Sequence, residues 1–84
     1  MEKEIQNKVL IVEDDKKRCA EYQKAFGERG CLSSVCHNGE EGMKKAMDEK
    51  PNLILLDINM PEMGGVEFLK KIKKHLPELP SIVV

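Results

Sequence analysis

No apolar run in this 84-residue sequence approaches the roughly 20 residues of a membrane span. The first residues, Met1 to Lys8, are polar and include Glu2 and Glu4, so the apolar stretch of a secretory leader is missing as well. A cytoplasmic location is the expectation. Charge of one sign is also lacking: the net charge is -1, which gives no overall attraction to nucleic acid or to a membrane surface. Cysteine is sparse and odd in number. Cys19, Cys31 and Cys36 do not suggest a disulfide framework. Nor do they suggest zinc, because Cys31 and Cys36 are five apart and the adjacent pair Cys36 and His37 is not a ligand spacing. Small, partly buried apolar residues are the plainer reading of all three. Repeats, low-complexity tracts and linkers are absent, and Gly39 and Gly42 do not make a glycine-rich phosphate loop.

What is present is a globular composition, 40% hydrophobic and 35% charged. The length allows one small domain, near the limit at which a single core stabilises a fold. Short apolar runs alternate with amphipathic stretches. Val9 to Val12 is a continuous β-branched and leucine run, as expected of a strand buried on both faces of a parallel sheet. Asp15 to Phe26 places Cys19, Tyr22, Ala25 and Phe26 at helical spacing, with Gly27 and Gly30 as the stop signal. Leu32 to Cys36 reads as a weaker strand diluted by Ser33 and Ser34. Gly39 allows a turn. Glu40 to Lys50 reads as a helix with Met43, Ala46 and Met47 on one face, closed by Pro51. Leu53 to Leu56 is the clearest strand. Asn59 to Gly65 is a loop by composition. Val66 to His75 is a helix expected to turn Val66, Phe68, Leu69 and Ile72 to the core, and Ser81 to Val84 starts a fourth strand. Strands and helices at this spacing imply right-handed crossovers and a parallel α/β sheet.

Ligands of such sheets gather at the carboxyl ends of the strands. The first strand ends at Glu13 and Asp14, and the third at Asp57, so three carboxylates are expected at one edge. Like charges this close need compensation, and a divalent cation supplies it. Magnesium takes carboxylate oxygens and keeps waters, leaving room for a phosphate. A carboxylate beside such an ion can act as a nucleophile toward phosphorus. Acids at a helix N-terminus are also favoured by the helix dipole alone. Asp15 fits that plainer account. For Glu13 and Asp14 taken alone both accounts stand, and Asp57, delivered by a second strand, favours a site.

Val9-Leu10-Ile11-Val12-Glu13-Asp14-Asp15 resembles the first strand and acidic pair of response regulator receiver domains of two-component systems. Leu53-Ile54-Leu55-Leu56-Asp57-Ile58-Asn59-Met60-Pro61 resembles the segment around their phosphorylated aspartate. Met63-Gly64-Gly65 is similar to the Met-Asp-Gly that usually follows, with Gly64 in place of the acid. The resemblance runs from about Lys8 to Val84. It implies a flavodoxin-like fold with strand order 2-1-3-4. It implies that Asp57 accepts a phosphoryl group from a histidine kinase or a phosphotransfer protein. Asp14 would bind Mg2+ directly, Glu13 would assist through water, and Asn59 would offer its backbone carbonyl. Pro61 and Gly65 would shape the loop. The family's Ser or Thr after the fourth strand, and its Lys after the fifth, would lie beyond Val84, so residues 1–84 are expected to hold the N-terminal two-thirds of a receiver. Self-association of the 84-residue chain through uncovered sheet surface is a further expectation. Arg18 departs from the family, which usually has an apolar residue there. The lysines at 70, 71, 73 and 74 fit a solvated helix side.

Two other functions are the alternatives. An aspartate-nucleophile phosphatase of the haloacid dehalogenase kind needs a second acid two residues after the nucleophile, where this sequence has Asn59. A module that folds and associates without competent phosphorylation is the second. Nothing in the sequence speaks to nucleic-acid binding, the cognate kinase or the output.

Overall fold

The computed structural model describes residues 7–57 and 64–83. Each short apolar run becomes a strand, because a segment of this length with no polar face buries both faces and satisfies its backbone by pairing in a sheet. The elements are β1 (Lys8–Val12), α1 (Lys16–Glu28), β2 (Leu32–Cys36), α2 (Gly39–Glu49), β3 (Leu53–Leu56), α3 (Gly65–His75) and β4 (Ser81–Val83). The four strands form one parallel sheet in the order β2-β1-β3-β4. Val12 aligns with Cys36 on one side and with Leu56 on the other, so β1, β2 and β3 end level with one another. The spacing predicts a parallel α/β sheet, and the strand order is the flavodoxin-like one that the resemblance implies.

The local signals explain the helix ends. Asp15 caps α1, its side chain accepting from the Lys17 amide at 2.9 Å. Asn38 caps α2 in the same way, accepting from the Glu41 amide at 2.8 Å. At the far end of α1, the Cys31 amide donates to the Phe26 carbonyl and the Gly30 amide to the Gly27 carbonyl. Gly30 takes a positive φ of 78°, and the pattern is a Schellman cap. Gly27 is therefore not the stop expected from the sequence, and α1 runs past it to Glu28. Lys50 ends α2 in the left-handed region, φ 49°, just before Pro51.

Two layers of core flank the sheet. On one face Leu10, Val12, Cys36, Ile54 and Leu56 pack with Ala46 of α2 and with Phe68 and Ile72 of α3. On the other, Val9, Ile11 and Leu55 pack with Cys19, Tyr22 and Phe26 of α1. Three residues expected to face the core do not. Ala25 is exposed, Met47 is 49% exposed and Val66 is 54% exposed. Val66 lies two residues before Phe68, which at 3.6 residues per turn is the opposite side of the helix. Met47 and Ala25 lie at the rims of their apolar stripes. The α1 face is also better covered than expected. Val9, Ile11 and Leu55 are 5% exposed or less, and the exposure falls instead on Ile82, at 45%. No helix among the described residues is long and apolar enough to cross a membrane.

Candidate functional site

Glu13 and Asp57 each continue a strand past its last residue, and the sheet's own hydrogen bonds hold both. The Glu13 amide donates to the Cys36 carbonyl and the Asp57 amide to the Val12 carbonyl, each at 3.0 Å. Glu13 is 1% exposed and Asp57 7%. Asp14, one residue further on, is exposed. One oxygen from each of Glu13, Asp14 and Asp57 lies within 4.8 Å of the others. The three acids expected from the sequence thus meet at the carboxyl edge of the sheet. Asn59 and Pro61 lie outside the described residues. Gly65 is buried and opens α3, one residue earlier than expected.

Electrostatics here follow from burial. Loss of water, and then the neighbouring Asp57 carboxyl, push the Glu13 carboxyl up to about 7, although the Asp15 amide pulls the other way. That amide donates to Glu13 Oε2 at 3.2 Å. Oε1 is buried without a hydrogen-bond partner among the described residues, and Arg18 Nη1 stands 3.9 Å from it. Three carboxylates with oxygens within 4.8 Å of one another, and a Glu13 oxygen buried and unsatisfied, are a donor set that fits a divalent cation such as Mg2+.

Two further residues fasten Glu13. Its carbonyl accepts from Cys19 Sγ at 3.3 Å and lies 3.0 Å from His37 Nδ1, a contact that uses the Nδ1–H tautomer. Cys19 Sγ and His37 Nδ1 are 3.8 Å apart. These contacts were not anticipated. The available signal was register, because His37 follows β2 as Glu13 follows β1. Burial raises the Cys19 thiol above its usual range, with Glu13, Asp15 and Asp14 adding to it. Burial likewise pushes Cys36 up to about 12. Both stay protonated thiols, suited to packing and weak donation rather than to attack.

The sequence profile of the response regulator receiver domain matches residues 9–84. The chain belongs to that family. The receiver is 41% identical over 80 residues to the probable C4-dicarboxylate response regulator DctR of Bacillus subtilis, covering 92% of this chain and 35% of that protein. It is 32% identical over 78 residues to the regulatory protein AtoC of Escherichia coli, covering 93% of this chain and 17% of that protein. Among solved structures, a CheY-like receiver domain protein from Methanospirillum hungatei superposes with a TM-score of 0.90 at 30% identity, over 94% of this chain and 63% of the other. The chemotaxis protein CheY4 of Vibrio cholerae gives 0.88 at 26% identity, over 94% of this chain and 68% of the other. The chain spans about a third or less of the length of these two curated relatives.

Proposed function

We propose that this receiver is a phosphoacceptor module of a two-component phosphorelay, with Asp57 as the acceptor and Mg2+ as the counter-ion of the site. The observation that carries the reading is the meeting of Asp57 with Glu13 and Asp14 at the level ends of β1 and β3. A carboxylate held at a strand end, its backbone fixed and its side chain nearly buried, is positioned for in-line attack on phosphorus. One Asp57 oxygen forms the new O–P bond. The P–N bond of a phosphohistidine donor breaks, and its electron pair stays on the imidazole. Asp14, exposed beside Asp57, would hold the ion directly, and Glu13 would do so through water. When bound, Mg2+ neutralises charge on the transferring group.

The donor is a histidine kinase or a phosphotransfer protein, and the receiver takes up one phosphoryl group rather than turning over substrate. Its working compartment on this reading is the cytoplasm. The Asn59 carbonyl is assigned to the ion, and Pro61 and Gly65 to the shape of the loop, by the resemblance alone.

Incubation of the chain and its D57N variant with labelled acetyl phosphate and Mg2+ is the test. We expect an acid-stable, hydroxylamine-labile label on the chain and none on D57N, with D14N weakening Mg2+ binding. Equal labelling of both proteins removes Asp57 from its role. No label on either, with the fold intact, favours a module that associates without phosphorylation.

A further inference from the structure

Arg18 is a charged side chain paired with one of the site acids, Glu13, and the phosphoacceptor reading leaves it without a task. It is the third residue of α1, its side chain is 59% exposed, and its Nη1 lies 3.9 Å from Glu13 Oε1. Glu13 has two oxygens, and they are not equivalent. Oε2 accepts from the Asp15 amide. Oε1 makes no hydrogen bond among the described residues. It is therefore the oxygen of Glu13 left for a cation, and it is the one Arg18 reaches.

A second observation points the same way. The first turn of α1 holds Lys16, Lys17 and Arg18 and no acidic residue. The N-terminal end of a helix carries partial positive charge and disfavours cations. Asp15, the N-cap, supplies one offsetting negative charge, and Glu13, 3.9 Å from Arg18, supplies another. The long arginine stem lets the head group stay in water while reaching back to the buried carboxylate.

We propose that Arg18 is a built-in counter-cation that competes with Mg2+ at Glu13 and holds the affinity of the site for the metal down. The inference rests on the cation site of the functional reading, not on phosphorylation itself. With the guanidinium in place, the cluster is partly neutralised before any ion arrives. Binding of a dication then has to displace or tolerate that charge. Occupancy of the site follows the Mg2+ concentration instead of saturating at low levels. Arg18 acts here as a positioning residue, through Glu13.

Titration of the 84-residue chain with MgCl2 alone, followed by calorimetry or by NMR shifts of the Glu13 and Asp57 amides, tests the idea. R18A and R18M should lower the dissociation constant about three- to tenfold, given one unit charge a few ångströms from a dication and partly screened by water. R18K should stay close to the parent, because it keeps the charge, and the differences should shrink as NaCl is raised. Thermal unfolding in parallel checks that each variant is folded. Equal dissociation constants in all four proteins would overturn the proposal. So would an R18K shift as large as that of R18A, which would assign the effect to side-chain shape. The titration uses no phosphoryl donor. A chain that binds Mg2+ in this Arg18-dependent way but is never labelled at Asp57 sinks the phosphoacceptor reading and leaves this one standing.

Discussion

Glu13 is in tension without a cation, and the tension has a sign that can be measured. The carboxyl is 1% exposed, and burial together with Asp57 raises it from 4.5 to about 7. A group raised in this way binds its proton more tightly in the folded chain than in the unfolded one. Its stabilising contribution is complete below about 4.5 and is lost as pH rises through about 7. In chelator-treated buffer the chain should therefore lose stability between pH 5 and pH 8, by on the order of 1–3 kcal/mol, since each tenfold difference in proton affinity between the two states is worth about 1.4 kcal/mol. The slope belongs to the Glu13–Asp57 pair rather than to one residue. E13Q, neutral throughout, should flatten it, and saturating Mg2+ should reverse it by favouring the ionised form. Denaturant midpoints at the two pH values, with and without Mg2+, are the measurement. A pH-independent midpoint in the chelated parent would show that the pair is already compensated without an ion.

The glycines of α1 and α2 look alike in the sequence and differ in the fold. A Cβ on Gly27 would meet nothing within 4 Å. A Cβ on Gly42 would stand 3.0 Å from Phe68, 3.2 Å from Val12 and 3.3 Å from Cys36, because α2 approaches β1 and α3 there. G27A should stabilise the chain by about 0.5–1 kcal/mol, the usual gain of alanine over glycine in a helix. G42A should gain little or nothing, since the same preference is offset by crowding against Phe68. G42V should cost about 1–3 kcal/mol by overpacking. Chemical denaturation of the three variants checks the order, and G42V as stable as G27A would contradict it. The close approach at Gly42 was not legible beforehand, because a helical glycine acquires meaning only from what packs against it. Val9 to Val12 and Leu53 to Leu56 were legible to within one residue, since unbroken apolar runs ending in acids fit little except buried parallel strands. The three site acids followed from the same logic, because a parallel sheet delivers every strand's carboxyl end to one edge. Val66 and Met47 misled because they were read by apolar character instead of by their angle around the helix. The fastening of Glu13 by Cys19 and His37 depends on side-chain direction, which spacing does not fix.

The two faces of the sheet are covered unequally. Two helices lie over the Leu10–Val12–Leu56 side and one, α1, over the Val9–Ile11–Leu55 side. Ile82 aligns with Leu55 in the register and so points to the α1 side, where it is 45% exposed. Among the described residues β4 has β3 on its inner side and no strand on its outer side. β2 is also an edge, and there Lys45 Nζ donates to the Val35 carbonyl at 2.8 Å, a charged side chain occupying an edge acceptor. We predict that self-association of the 84-residue polypeptide uses the β4 edge with Ile82 beside it. Burying the exposed half of one isoleucine contributes about 1 kcal/mol per protomer, against roughly 1.5–3 kcal/mol for a whole side chain. A few edge hydrogen bonds add amounts of similar size. That gross gain, roughly 4–5 kcal/mol, is largely offset by the freedom lost on association, so the self-association expected is no tighter than about 1 mM and leaves a monomer in dilute solution. Sedimentation velocity from about 10 µM to about 1 mM should show a reversible rise in mean mass, and I82K should hold the chain monomeric by placing a charge where the contact forms. A mass that stays monomeric across the range in the parent would mean that the β4 edge is protected in solution. A rise that persists in I82K would place the contact elsewhere, at Leu32, Met47 or Val66, the large apolar side chains exposed on β2, α2 and α3.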